Sequence, residues 1–504
     1  MDIKVLIESI GLSPAELKPY LLGEIDEFID ATGSDAQEEE LNDVVFALRS
    51  LSYARIGKHI PIDDSRSQEK LKNRLREFGT ISKKDPVFLN IAIKEIPIGV
   101  VHFSFGNFKQ PWTNFDPVKN GTEAEIVMLT DDEYLEHNHW ANHLIVTFDD
   151  VDQLEYSFLT SGWSRNEKNT ILCRVPDFLF KHAKQSGQLL TADDGIASQI
   201  EAALQHVTIK KDTIFHFHSW ESGIALSSPN IKKLIAGKRK IFSPYLTVSR
   251  FKEIAAQHAD SESTLNAYEL RTGVEYESRL ISFCDLIVVE SKKDEDFYKK
   301  LPGAQNKVRA FSYSREKQYD VKPDSLSKQK LCFVTGGRPV FEKGFIELCR
   351  EIPSIIDFAK NNNLEIHFRI LCGEYDRATK EPKKTAYIKA LHDTISELKL
   401  DDYVSVEDKV SIDELRNILS QSSALIVPSL YDPYCLMPHY AIDEHKVSFV
   451  SCFAGISENI LSTDYVFDPT KPGSLLKSIK KWYEGNVPFV LSNANTSYKT
   501  LYLN

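Results

Sequence analysis

The chain has 504 residues, more than one core comfortably holds, and ordinary domain sizes divide it into about three units. Its composition, 42% hydrophobic and 27% charged, is that of a globular protein with no apolar run of membrane-spanning length, and a net charge of −12 opposes a general grip on nucleic acid. The opening Met1–Phe28 lacks a basic start and a small-residue cleavage site. Cys173, Cys284, Cys332, Cys349, Cys372, Cys435 and Cys452 are scattered without a C-x-x-C pair, so a cytoplasmic protein with reduced thiols is expected.

From Met1 to Pro86, apolar residues recur at helical spacing (Leu6, Ile7, Ile10; Leu21, Leu22, Ile25, Phe28, Ile29), which predicts a helical accessory region over residues 1–86. Glu38, Glu39 and Glu40 read as a solvated helix start. Strand-length apolar runs follow at Ile96–Phe105, His143–Phe148, Thr213–Phe217, Leu286–Val289, Leu331–Thr335, Glu365–Leu371, Val404–Val406 and Ala424–Val427. Helical stretches separate most of them, which argues for parallel α/β layers. The charged, Pro323-containing stretch Ser314–Gln329 reads as a connector, placing one α/β domain over 87–320, a second over 321–485, and a tail over 486–504 that returns to the first.

Chemistry concentrates in the second domain. Phe333-Val-Thr-Gly-Gly337-Arg338-Pro-Val-Phe-Glu-Lys343-Gly344 is a strand that ends in paired glycines before a helix. Glycines let backbone N–H groups approach an anion, and two cations on one side neutralise phosphates. Alone, such a turn is as readily structural. Pro428-Ser429-Leu-Tyr-Asp432-Pro433-Tyr434-Cys435-Leu436 then follows a strand, and Ala454-Gly455-Ile-Ser-Glu458 and Tyr465-Val-Phe-Asp468-Pro469 come after it in order.

Over about 150 residues this order resembles the retaining glycosyltransferases of the GT-B fold, the glycogen-synthase-like and family 4 group. The resemblance implies two Rossmann-like domains around a deep interdomain cleft, a nucleoside-diphosphate sugar as donor, and no prosthetic group or metal. Gly337, Arg338 and Lys343 would hold the diphosphate, where negative charge develops on departure. Backbone N–H groups at Cys435, Leu436 and Met437 would face phosphate and sugar, and Asp432 would accept hydrogen bonds from the sugar hydroxyls. Two departures stand out. Tyr440 occupies the place of the acid that grips the ribose, and a Tyr hydroxyl cannot make a bidentate charge-assisted contact with a diol. His445-Lys446-Val447 replaces the usual Gly-x-Pro turn, and Asp443 or Glu444 would be the only nearby substitutes for the missing acid.

In the first domain, His216-Phe-His218-Ser-Trp220-Glu-Ser-Gly223 is similar to the H-x-H-x-W strand end of that group, which makes His218 a catalytic candidate beside Asp432. By strand periodicity alone, His216 and His218 share a face and could equally satisfy core hydrogen bonds. Asn120-Gly121-Thr122-Glu123 looks like the group's G-G-T-E loop with its first glycine replaced. Thr247-Val248-Ser249-Arg250 stands where a T-V-H-N sequence is common, weakening the case for a glucan acceptor. His137, His139 and His143 are spaced unlike a metal shell. The leading expectation is a cytoplasmic, metal-independent retaining hexosyltransferase acting on an unidentified hydroxyl acceptor. A pseudo-glycosyltransferase performing a non-glycosidic coupling and a catalytically inactive binding or regulatory protein are the alternatives.

Overall fold

The structure, a computed structural model, describes residues 97–105, 142–148, 162–165, 170–175, 187, 189–204, 207–258, 263–312, 319–321, 330–373, 385–408, 410–485, 488–492, 496–497 and 501–502. The expected helices of residues 1–86 and the loop at Gly121 lie outside them. Two compact α/β units are present. The first holds the described residues up to Pro244 together with Arg271–Ile287, and the second holds Tyr245–Leu270 and Val288–Tyr502.

The first unit contains β1 (Pro97–Ser104), β2 (Asn142–Phe148), β3 (Gly162–Arg165), β4 (Thr170–Val175), β5 (Thr208–His218), β6 (Lys240–Ser243) and β7 (Leu286–Val289). Within a nine-stranded sheet these seven run in the order β7-β6-β5-β1-β2-β4-β3, parallel except for the β3–β4 hairpin. Side chains alternate across the central strands. Phe103, Phe215 and Phe217 cover one face, with Phe103 5.0 Å from Phe217 and 6.1 Å from Phe215 between ring centroids. Ser104, His102, His216 and His218, all buried, take the alternate positions.

The second unit contains β8 (Val308–Ser312), β9 (Tyr319–Val321), β10 (Lys330–Gly336), β11 (Glu365–Gly373), β12 (Val404–Asp408), β13 (Ala424–Val427), β14 (Val447–Ser451), β15 (Val466–Phe467), β16 (Phe489–Leu491) and β17 (Thr496–Ser497). Six of them form a parallel sheet in the order β12-β11-β10-β13-β14-β15. The tail pairs with β8 and β9: β17 runs parallel to Phe311–Ser312 and β16 antiparallel to Tyr319–Val321. The helix Phe345–Asn361 repeats apolar residues at three- and four-residue spacing and buries Phe345, Leu348, Cys349, Ile352, Ile355, Ile356 and Ala359. On the sheet, Phe333 stacks on Phe368 at 5.2 Å and meets Phe449 and Trp482 edge-on at 6.3 and 6.2 Å.

In each sheet the strand order reverses beside a central strand, at β1/β5 in the first unit and β10/β13 in the second. Loops leaving such a pair diverge to opposite sides and open a crevice at the strands' carboxyl ends. Because Phe333 joins strands to the helix Ser474–Glu484, Phe333→Ala should cost about 3–5 kcal/mol. Urea unfolding should show it as a lowered midpoint with an unchanged slope.

Candidate functional site

At the β10/β13 reversal, the sheet itself dictates glycine. Gly336 lies opposite Leu371 of β11, and a Cβ there would stand 3.1 Å from the Leu371 carbonyl oxygen. Gly337 follows with φ +150° and donates its N–H to the same carbonyl at 3.1 Å. A short 3-10 turn, Phe341–Lys343, then leads through Gly344 (φ +68°) into the helix Phe345–Asn361. Gly344 touches the second loop so closely that a Cβ would fall 2.0 Å from the Pro428 carbonyl oxygen.

The second loop, leaving β13, is fixed from both sides. Leu430 and Tyr431 donate their N–H groups to the Glu342 carbonyl at 2.8 and 3.2 Å. Gly455 and Ile456 donate to the Asp432 and Tyr434 carbonyls at 2.8 Å each, and Asp432 bridges to Ala454 in parallel. Gly455 has no alternative, since a Cβ there would lie 1.8 Å from the Pro433 oxygen. Beneath the loop, the Arg250 guanidinium lies over the Tyr431 ring at 5.2 Å and pairs with Asp294 at 2.7 Å. The Tyr431 hydroxyl accepts the Thr247 N–H at 3.3 Å. Arg250, noted in the sequence as a departure, therefore supports the loop.

This double fixing brings Lys343 and Asp432 together. Lys343 Nζ donates to Asp432 Oδ2 at 2.7 Å, with side chains 21% and 11% exposed. Burial pulls the Lys343 pKa down, but the Asp432 charge outweighs it and the ammonium's pKa is raised. Arg338 is exposed on the same turn, without an ion-pair partner among the described residues, and its charge is felt at Lys343. Cys435 adopts φ +79°, and burial followed by the Asp432 charge pushes its thiol pKa up, so it stays protonated. Met437 Cε lies 3.8 Å from the place of a Gly336 Cβ, so Met437 borders the glycine turn. Tyr440 is partly buried in the helix Met437–Asp443, where Tyr434 and His439 also bond at 2.8 Å. Asp443 faces Arg416 at 3.8 Å. His445 takes φ +56° after that helix, a backbone position glycine usually fills.

In the first unit, His218 ends β5 and the chain turns at Ser219, whose φ of 63° is unusual for a residue with a side chain. The following turn is seated by buried Trp220 and by Gly223, where a Cβ would meet Tyr276 Cβ at 2.8 Å. His218 is fully buried: its Nε2 is 2.9 Å from His102 Nδ1, and His102 Nε2 is 2.9 Å from His143 Nδ1. His216 Nε2 bonds Ser243 Oγ at 2.8 Å. Burial depresses all four pKa values, to about 4 for His143 and about 3 for His216, where Arg239 adds to the effect. All four rings are neutral at neutral pH. His102 was not singled out by the sequence, and His143 was grouped there with His137 and His139, which lie outside the described residues.

No protein-family model matches the chain. Among solved structures it is similar to sucrose-phosphate synthase from Thermosynechococcus elongatus (TM-score 0.54, 13% identity, 76% of this chain and 88% of that one). It is also similar to an α,α-trehalose-phosphate synthase (UDP-forming) from Burkholderia vietnamiensis (TM-score 0.51, 12% identity, 77% and 89%). In sequence, 249 residues are 22% identical to sucrose synthase 2 of Tulipa gesneriana, 45% of this chain but only 29% of that protein's length. At these identities the likeness is one of fold: the chain has the two-domain α/β architecture called GT-B.

Two substitutions test the site's construction. Gly344→Ala, strained at φ +68° and driven into the Pro428 carbonyl, should destabilise the protein by at least about 1 kcal/mol in urea unfolding. Arg250→Leu leaves the Asp294 carboxylate buried without its cation and should cost about 3–5 kcal/mol. Restoration of stability by Arg250→Leu/Asp294→Asn would tie that loss to the stranded charge.

Proposed function

We propose that the protein is a retaining glycosyltransferase that moves a hexosyl group from a nucleoside-diphosphate sugar to a hydroxyl acceptor. The observation that carries the reading is the Lys343–Asp432 pair, held at the β10/β13 reversal beside the Gly336-Gly337 turn and an exposed Arg338 that has no ion-pair partner among the described residues. Each part suits a step of that reaction. Departure of a nucleoside diphosphate builds charge on its β-phosphate, and Arg338 with Lys343 meets that charge with cations of the chain itself rather than a metal ion. Backbone N–H groups at Cys435 and Leu436 add donors that need no rearrangement. Asp432 accepts hydrogen bonds from sugar hydroxyls once its ammonium partner turns to phosphate. In the retaining route the leaving phosphate itself assists removal of the acceptor proton.

UDP is the first nucleotide to test, since a structural relative is named as UDP-forming. Ligand at about 100 times its dissociation constant should stabilise the protein by roughly 2.7 kcal/mol, readable as a rise in Tm. UDP should give that rise, and Arg338→Ala should abolish it without lowering the Tm of the unliganded protein. Lys343→Ala should lower kcat by about 100-fold or more. If no member of a panel of UDP, GDP, ADP, TDP and their sugar conjugates shifts the wild-type Tm, the donor site is refuted.

Tyr440 favours a second reading, a non-glycosidic coupling on the same phosphate site, because the ribose-gripping carboxylate is replaced there. Nucleotide binding without transfer to any sugar hydroxyl, but with coupling to an amine or cyclitol, would select it over the first.

A further inference from the structure

The strand-order reversal of the first unit carries a second constellation, made of imidazoles instead of cations. We propose that His102, His216 and His218 form a site for one divalent transition-metal ion of the zinc type. One ligand nitrogen from each lies within 4.8 Å of the other two, and all three residues are completely buried. Zn–N bonds of about 2.0–2.1 Å in tetrahedral geometry separate ligand nitrogens by about 3.3 Å. His102 Nδ1 and His218 Nε2, now 2.9 Å apart, need only part slightly to admit an ion between them.

The surroundings match what an ion requires of its ligands. Metal-bound histidines characteristically have their second nitrogen held by another group, which fixes the ring's orientation. Here His102 is held through Nε2 by His143 Nδ1 at 2.9 Å, and His216 through Nε2 by Ser243 Oγ at 2.8 Å. Adjacent parallel strands set the spacing: His102 is opposite His216 in the β1–β5 register, and Ser104 is opposite His218. An all-imidazole donor set suits zinc, copper or nickel and not magnesium or calcium.

Ser104 provides an independent observation. It is 1% exposed, on the same sheet face as His102, and its Oγ has no hydrogen-bond partner among the described residues. A buried hydroxyl without a partner is destabilising. A water or hydroxide completing a tetrahedral shell on three histidines would give that hydroxyl its partner. The site sits at the carboxyl ends of β1 and β5, where open α/β sheets bind ligands.

The test uses the full chain stripped of metal and titrated with Co2+, followed by Zn2+. Wild-type protein should take up one Co2+ per chain with the visible absorption of a tetrahedral ion, and Zn2+ should displace it. His102→Gln and His216→Gln should abolish that spectrum, and Ser243→Ala, which leaves all three ligands in place, should weaken binding about 10-fold or more. Absence of a tetrahedral spectrum in the wild type overturns the proposal, whatever the folding of the variants. Persistence of an undiminished spectrum in both histidine variants assigns the ion to other residues and also overturns it. Neither readout involves a sugar nucleotide, so failure here leaves the transferase reading untouched, and failure of that reading leaves the metal site standing.

Discussion

An ammonium and a carboxylate 2.7 Å apart, supplied by residues 343 and 432, set the terms for the rest of the second unit. Neither charge is comfortable alone in so enclosed a place, and their attraction offsets desolvation only if geometry is maintained. That geometry is maintained chiefly by backbone contacts, with the Arg250 side chain supporting the second loop from beneath. The first loop touches the second at Gly344 and Pro428, the second touches a third at Pro433 and Gly455, and four N–H donations pin the second loop between its neighbours. The glycines follow from this crowding, because no other residue lets three carbonyl-bearing chains approach so closely.

The same plan appears in the first unit with different chemistry. There the reversal lies between β1 and β5, and the side chains at its carboxyl end are neutral rings in place of an ion pair. A sheet with phenylalanines on one face can afford imidazoles on the other only if they satisfy one another, and His102 bonds both His143 and His218. The two units therefore solve one problem, polar groups at a buried strand end, by mutual pairing of two kinds.

Much of this was legible in the sequence where the signal is contiguous. All eight strands expected from apolar runs are present, and Lys343 and Asp432, from two separate motifs, form an ion pair. Strands such as β6 and β14 were harder to read. β6 has only four residues, and β14, although buried throughout, interleaves Ser448 and Ser451 with its apolar residues. The place of His102 depends on β1 and β5 being neighbours across 116 positions of chain, which no spacing rule reveals. The role of Arg250 was hidden similarly, since its partners Asp294 and Tyr431 are distant in sequence.

The row of rings His143, His102 and His218 has one more property when no ion intervenes. A neutral imidazole has a single N–H and a single lone pair, so a ring bonded at both nitrogens must give on one side and receive on the other. His102 is such a ring, and its two neighbours are obliged to agree with it. The row thus has a direction, and that direction decides whether His218 carries its proton on Nε2 or on Nδ1. Reversing one ring's tautomer reverses the other two, which makes three residues from three strands a single two-state element.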